Sequence, residues 1–223
     1  MTRILAIDTS TAWGGAALLE SDAGGPRVIA EAGLAVPDAL AARILPMIDL
    51  LVASAGWGRS AIDVYAAARG PGSFTGIRVG LGLLSGWALA SGAPCLGIGT
   101  LDAVAEAYGP AEADRVPLIA AGRGNVYRAR FDATSSPPLL LAGPWAGPVE
   151  ESLTGETPGV VLAARGLLPE GHAAPGMRIA PAPSSIAAGV GRIAALRHAA
   201  GETTGHAPTP LYVRPSYAEA ASR

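Results

Sequence analysis

At 223 residues the chain is long enough to bury a sizeable core, as one large domain or two small lobes. Half of it is hydrophobic, 15% is charged and the net charge is −2, so no clustered basic face is offered to nucleic acid. All 16 basic residues are arginine, and without a lysine the Schiff-base, lysine-base and P-loop lysine mechanisms are excluded.

RILAIDTS at 3–10 reads as a buried strand, and GGAALLE at 14–20, after a turn at TAWGG, as its hairpin partner. RVIAEAGLAV at 27–36 gives a third, weaker strand. Residues 37–54 show helical spacing, with Leu40, Ile44, Met47 and Leu51 on one face, Gly56 as the stop and Pro46 as a kink. IDVYAAARG at 62–70 is a strand running into a glycine-rich turn, and a helix over 76–91 follows, ending near Gly92. PCLGIGT at 94–100 is another strand, LDAVAEAYG at 101–109 a short helix. Such alternation fits an α/β sheet with helices packed on its faces.

A second block opens with a hairpin, VPLIAA and VYRARF around a turn at GRGN. From 133 to 176 the chain is rich in proline and glycine, and only GVVLAA at 159–164 is a clear strand. A last helix follows Ser184 and Ser185, with Gly201 as its stop. The tail from His206 onward is extended and proline-rich. No short-period repeat is visible. Val79 to Leu101 is uncharged and long enough for a bilayer, but its glycines and the GAP break at 92–94 argue for a helix and a strand instead. No signal-peptide run precedes Asp8, and the single cysteine, Cys95, fits a reducing compartment, so a cytoplasmic protein without membrane association is expected.

The turn G70-P-G72-S-F-T-G76 stands where a dinucleotide fingerprint would, but its glycine spacing is one residue too long and no acid lies between residues 90 and 101. An anion at this helix N-terminus is one reading, with Asp8, Gly70, Gly72 and Ser73 as its candidate residues. A tight turn capped by Ser73 or Thr75 is the other. Within the helix, Gly82, Gly86 and Ala90 recur every four residues as a smooth stripe for a close neighbour, either this protein's own sheet or a partner. Asp8 lacks the second acid or base that catalysis needs, and His172, His198 and His206 form no ligand pair. Ser73 is not in a G-x-S-x-G elbow.

ILAIDTS at 4–10, RILPMID at 43–49, GPGSFTGIRVGLGLLSGWALA at 70–90 and GTLDAVA at 99–105 together closely resemble the TsaB family. GNVYRARF at 124–131 and PLYVR at 210–214 follow in the right order. That resemblance implies an actin-like, ribonuclease-H-like fold of two lobes. Residues 1–106 would form the N-terminal lobe, joined by helix 184–200, with 107–183 the smaller lobe and 201–223 a tail. It implies a non-catalytic subunit that assists threonylcarbamoylation of adenosine 37 in tRNA, without a cofactor or metal of its own. Its expected partners are a TsaD-type catalytic paralogue and a TsaE-type ATPase, with a homodimer when alone and tRNA met only through the complex. Helices 37–54 and 76–91 match the family's partner helices, which puts Arg43, Met47, Leu51, Val79, Gly82, Leu83, Gly86 and Ala90 at the interface. Two departures stand out. Leu40-Ala41 replace a common His-Thr or His-Ser pair, and Ala120-Ala121-Gly122 precede Arg123 where a D-A-R sequence is common. The rival readings are an actin-like ATPase or kinase using Asp8 and the Gly70–Gly76 loop, and a metallopeptidase, which the histidine placement disfavours.

Overall fold

The computed structural model describes residues 1–35, 40–164, 166–169, 171–172, 175–202 and 208–213, the Arg59 side chain excepted. His206 and the first residues of the expected helix 37–54 lie outside them.

Strands β1 (Thr2–Asp8), β2 (Gly14–Asp22) and β3 (Gly25–Leu34) form an antiparallel meander. Helix α1 (Leu40–Ser54) leads to β4 (Val64–Ala68), which lies parallel beside β1. Helix α2 (Phe74–Ser91) then leads to β5 (Cys95–Ile98), parallel beside β4. The sheet order is β3-β2-β1-β4-β5. After the short helix α3 (Thr100–Glu106) the scheme repeats. Strands β6 (Arg115–Gly122), β7 (Asn125–Asp132) and β8 (Leu139–Pro148) are antiparallel, and β9 (Val160–Ala163) and β10 (Arg178–Pro181) add in parallel, in the order β10-β9-β6-β7-β8. The second sheet thus repeats the first strand for strand. The last helix described, α4 (Ala187–Ala199), packs back on the first sheet and on α3.

Side-chain alternation assigns each strand face to a layer. On β1, Ile4 and Ala6 point to one core and Leu5 and Ile7 to the other, so the strand is apolar throughout because both its faces are covered. The outer face packs on α1 and α2, and the inner face packs on α3 and α4. That inner core also takes in Ala129, Phe131 and Leu162 of the second sheet, so α3 and α4 lie between the sheets. Among the described residues, the far face of the second sheet is covered by Val149 and Leu153 and by the loop residues Leu167, Leu168 and Met177, with no α-helix against it.

Several local expectations meet their physical causes here. Ser73 is the cap of α2, its hydroxyl accepting from the Gly76 amide at 3.2 Å, so the helix starts at Phe74 rather than at 76. Gly92 ends it in the left-handed region, at φ 74°. The second hairpin turns on Arg123 and Gly124, both at positive φ (53° and 72°), as a two-residue turn of the twisted type demands. Pro46 does not break α1, because the Ala42 carbonyl it leaves without a helical partner lies on the exposed side. Among the described residues no helix is long and apolar enough to cross a membrane.

Candidate functional site

Asp8 ends β1 fully buried. Its Oδ1 accepts from the Ser10 amide at 2.8 Å and the Ser10 hydroxyl at 2.6 Å, and its Oδ2 accepts from the Thr11 hydroxyl at 2.5 Å. Because Ser10 spends its one proton on the carboxylate, Thr100 must be the donor in the 2.9 Å contact between the two hydroxyls. The Gly70 amide in turn donates to Thr100 Oγ1 at 3.2 Å. A directed chain of donors therefore runs from the glycine-rich turn to the first strand. Burial pushes the Asp8 carboxyl above its ordinary value, against the opposing pull of the Ser10 and Thr11 donors.

The turn itself is built for close approach. The Ser73 amide donates to Ser10 O at 2.7 Å, and Thr9 Oγ1 donates to Gly76 O at 2.7 Å. A Cβ at Gly76 would run into the Thr9 carbonyl, at Gly72 into the Ser10 carbonyl, and at Gly80 into the Thr9 hydroxyl. Three of these glycines are thus accounted for by the loop at 9–10 pressing on α2. The amides of Gly70, Ser73 and Gly76 already have partners within the chain, and Pro71 has no N–H to give.

A cleft of about 1050 Å³ opens between the lobes. Ser10, Trp13, Pro71 and Gly72 line one side, Ile119 to Gly122 and Tyr127 the other, and Leu211 to Val213 close over it. Of the four candidate anion residues, Gly72 and Ser73 reach this cleft, while Asp8 and Gly70 are not among its lining. Ala120, Ala121 and Gly122 supply the far wall without an acid, at the place where the family resemblance expects one. Among the described residues no three His, Cys, Asp or Glu side chains gather as a metal-binding group. Cys95 is buried in β5, and burial pushes its thiol up.

The other candidate surface lies on α1 and α2. Gly82, Gly86 and Ala90 are exposed, and a Cβ at either glycine would meet nothing within 4 Å. The stripe therefore faces away from the sheet. Leu89, 89% exposed, adjoins it in sequence, and on α1 Leu50 is 68% exposed and Arg43 is exposed. Val79 and Leu83 are half-buried at its margin. Met47 and Leu51 are a correction: expected beside the stripe, they turn inward at 8% exposure and pack in the core with Ile44 and Ile48. The helical period that singled them out marks the buried face of α1, because only that face has a sheet to pack on. Leu50 and Leu89 were the residues to look for, being large apolar side chains off that face.

A family model described as TsaD, tRNA N6-adenosine threonylcarbamoyltransferase, matches residues 35–142. The tRNA threonylcarbamoyladenosine biosynthesis protein TsaB of Escherichia coli K12 is 36% identical over 153 residues, covering 68% of this chain and 62% of that protein. The protein of the same name from Haemophilus influenzae is 49% identical over 65 residues, 29% of this chain and 28% of its own. The chain thus spans less than two thirds of the length of either of these curated relatives. The solved structure of YeaZ from Pseudomonas aeruginosa matches at a TM-score of 0.78 and 26% identity, over 96% of this chain and 100% of that one. The repeated sheets, the interlobe cleft and these matches make this an actin-like, ribonuclease-H-like fold, and the chain belongs to the TsaB family.

Proposed function

We propose that this chain is a non-catalytic partner subunit in the installation of the threonylcarbamoyl group on N6 of adenosine 37 in tRNA, acting in the cytoplasm. The chemistry belongs to a TsaD-type paralogue, which the chain binds, scaffolds and activates, and a TsaE-type ATPase joins the pair. When the chain is alone the same face closes a homodimer, and tRNA is met only through the complex. Residues 1–106 with 184–200 form the partner-facing lobe, 107–183 the smaller lobe and 201–223 the tail. The observation that carries this reading is the open stripe Gly82, Gly86 and Ala90 on α2 with the exposed Leu89 on the same helix, a smooth apolar face of the kind that marks an interaction site. Val79 and Leu83 are half-buried on the same helix and Arg43 is exposed on α1, whereas Met47 and Leu51 stay in the core and add nothing to the surface. The kinase reading gains nothing from the geometry, since Asp8 is sealed behind the cleft wall and the amides of Gly70, Ser73 and Gly76 have internal partners.

Affinity capture of the tagged chain from its native cells tests this directly. A TsaD-type protein should be recovered with it at near-equal amounts, and its absence from the native capture would refute the reading.

A further inference from the structure

The C-terminal segment returns over the first lobe and covers the glycine-rich turn. The Leu211 amide donates to Arg69 O at 2.7 Å, and Arg69 Nη1 donates to Thr209 O at 3.5 Å. The Leu211 carbonyl lies where a Cβ of Gly70 would project, and Pro208 lies where one of Gly97 would. Tyr212 stacks on Phe74, the first residue of α2, with ring centroids 4.4 Å apart and planes 24° from parallel. Its hydroxyl accepts from Arg78 Nε at 3.3 Å, and the Arg78 guanidinium sits 4.0 Å from the Phe74 ring centroid. The space that Gly70 and Gly97 leave is thus filled by the chain's own tail. With Leu211, Tyr212 and Val213 in its lining, the tail also walls the cleft.

The attachment is light for what it covers. Thr209 and Pro210 are exposed, and Tyr212 is 40% exposed. By contrast β1, which the segment approaches through the turn, has Ile4, Ala6 and Ile7 wholly buried. Segments with few buried apolar contacts open at a small fraction of the global unfolding free energy. We propose that residues 208–213 are a releasable strap over the interlobe cleft, latched by Tyr212 on Phe74 and Arg78. The tyrosine occupies the place of an aromatic ligand, with a ring platform beneath it and a guanidinium at its polar end. Release therefore uncovers recognition chemistry for a planar aromatic anion.

The test combines native-state hydrogen exchange on the full chain with anilinonaphthalene sulfonate, a planar aromatic anion, as the probe of the cleft. In the wild type the Leu211 amide should exchange at least about tenfold faster than the amides of Leu5 and Ile7 in β1. Tyr212→Ala should speed Leu211 exchange by about tenfold more, the size of losing one aromatic pair and one hydrogen bond. It should leave the β1 amides unchanged and tighten dye binding by a similar factor. Leu211 exchanging at the rate of β1 in the wild type would overturn the proposal, because the segment would then open only with the whole fold. Unchanged exchange and dye affinity in Tyr212→Ala would overturn it as well, and so would failure of that variant to fold, which would make the segment part of the core.

Discussion

Gly76 and Gly86 stand on the same helix, yet a Cβ added to each meets opposite surroundings. At Gly76 it strikes the Thr9 carbonyl, a backbone atom that cannot swing aside, whereas at Gly86 it meets open space. Gly76→Ala should therefore destabilise the chain by about 1–3 kcal/mol, the usual cost of overpacking. Gly86→Ala should stabilise it by about 1 kcal/mol, the helix-propensity difference. Urea unfolding of the two variants checks both, and a matched sign would refute the assignment of one glycine to contact and the other to surface. Asp8 makes a separate prediction through its proton. Its ordinary value is 3.8, and burial raises it in the folded chain. Between the two values the native state holds a proton that the unfolded state has lost, so the contribution of Asp8 to stability is fully present below about pH 4 and is lost as pH rises through the folded value. Asp102 and Glu106, also pushed up by burial, add slopes of the same sign. Asp8→Asn removes one of these titrations, so its urea midpoint should fall less steeply with rising pH than that of the parent. Identical slopes would show that Asp8 does not titrate differently on folding.

At the scale of an element, α2 is held over its first turns, while its second half packs through Leu84 and Trp87 and leaves one face open. Its first turns carry Gly76 and Gly80 against Thr9 and bury Ile77, while beyond Leu81 the glycines turn outward. Gly86→Leu should therefore leave thermal stability intact, since Leu is the better helix former and the site is open. Affinity for a TsaD-type partner should fall by about 1–3 kcal/mol, roughly 5- to 150-fold in Kd, because close packing tolerates added volume poorly. Calorimetry of the purified pair reads this, and unchanged affinity with an intact fold would place the interface elsewhere. The first-lobe elements were legible in the sequence because β1, β2 and β4 are covered on both faces and read as unbroken apolar runs. β8 and β10 were not. Both are edge strands of the second sheet, β8 with Pro144 and Pro148 and β10 with Pro181, and an edge tolerates the missing donor that a central strand does not. Proline there mimicked a loop. The candidate site was half legible: the stripe of small residues could be seen in sequence but not its direction. The pairing of Tyr212 with Phe74 joins residues too far apart in sequence for any periodicity to link them.

On the scale of the whole molecule, the two sheets share a strand order but not a covering, since the second sheet carries short turns and loops where the first carries α1 and α2. The duplication escaped the sequence because a topology needs matching polarity patterns, not matching residues. What joins the halves is the layer of α3 and α4. Leu101, Val104, Val190 and Ile193 pack in a single core with Ile4 and Val64 of one sheet and Phe131 and Leu162 of the other. At Gly189 a Cβ would strike the Ala103 carbonyl, so the two helices can lie this close only through a glycine. A core shared in this way should make the lobes unfold together, although each has its own sheet. Phe131, wholly buried on β7, is the place to test it, since its truncation to Ala should cost about 3–5 kcal/mol. Trp13, Trp57 and Trp87 lie in the first half and Trp145 on β8. In a Trp145→Phe background the fluorescence therefore reports the first half alone. Phe131→Ala should lower the urea midpoint of that signal as far as it lowers the far-ultraviolet circular dichroism midpoint. A first-half transition that stays in place while the dichroism splits in two would mean that the lobes fold separately and that the shared layer belongs to the first sheet only.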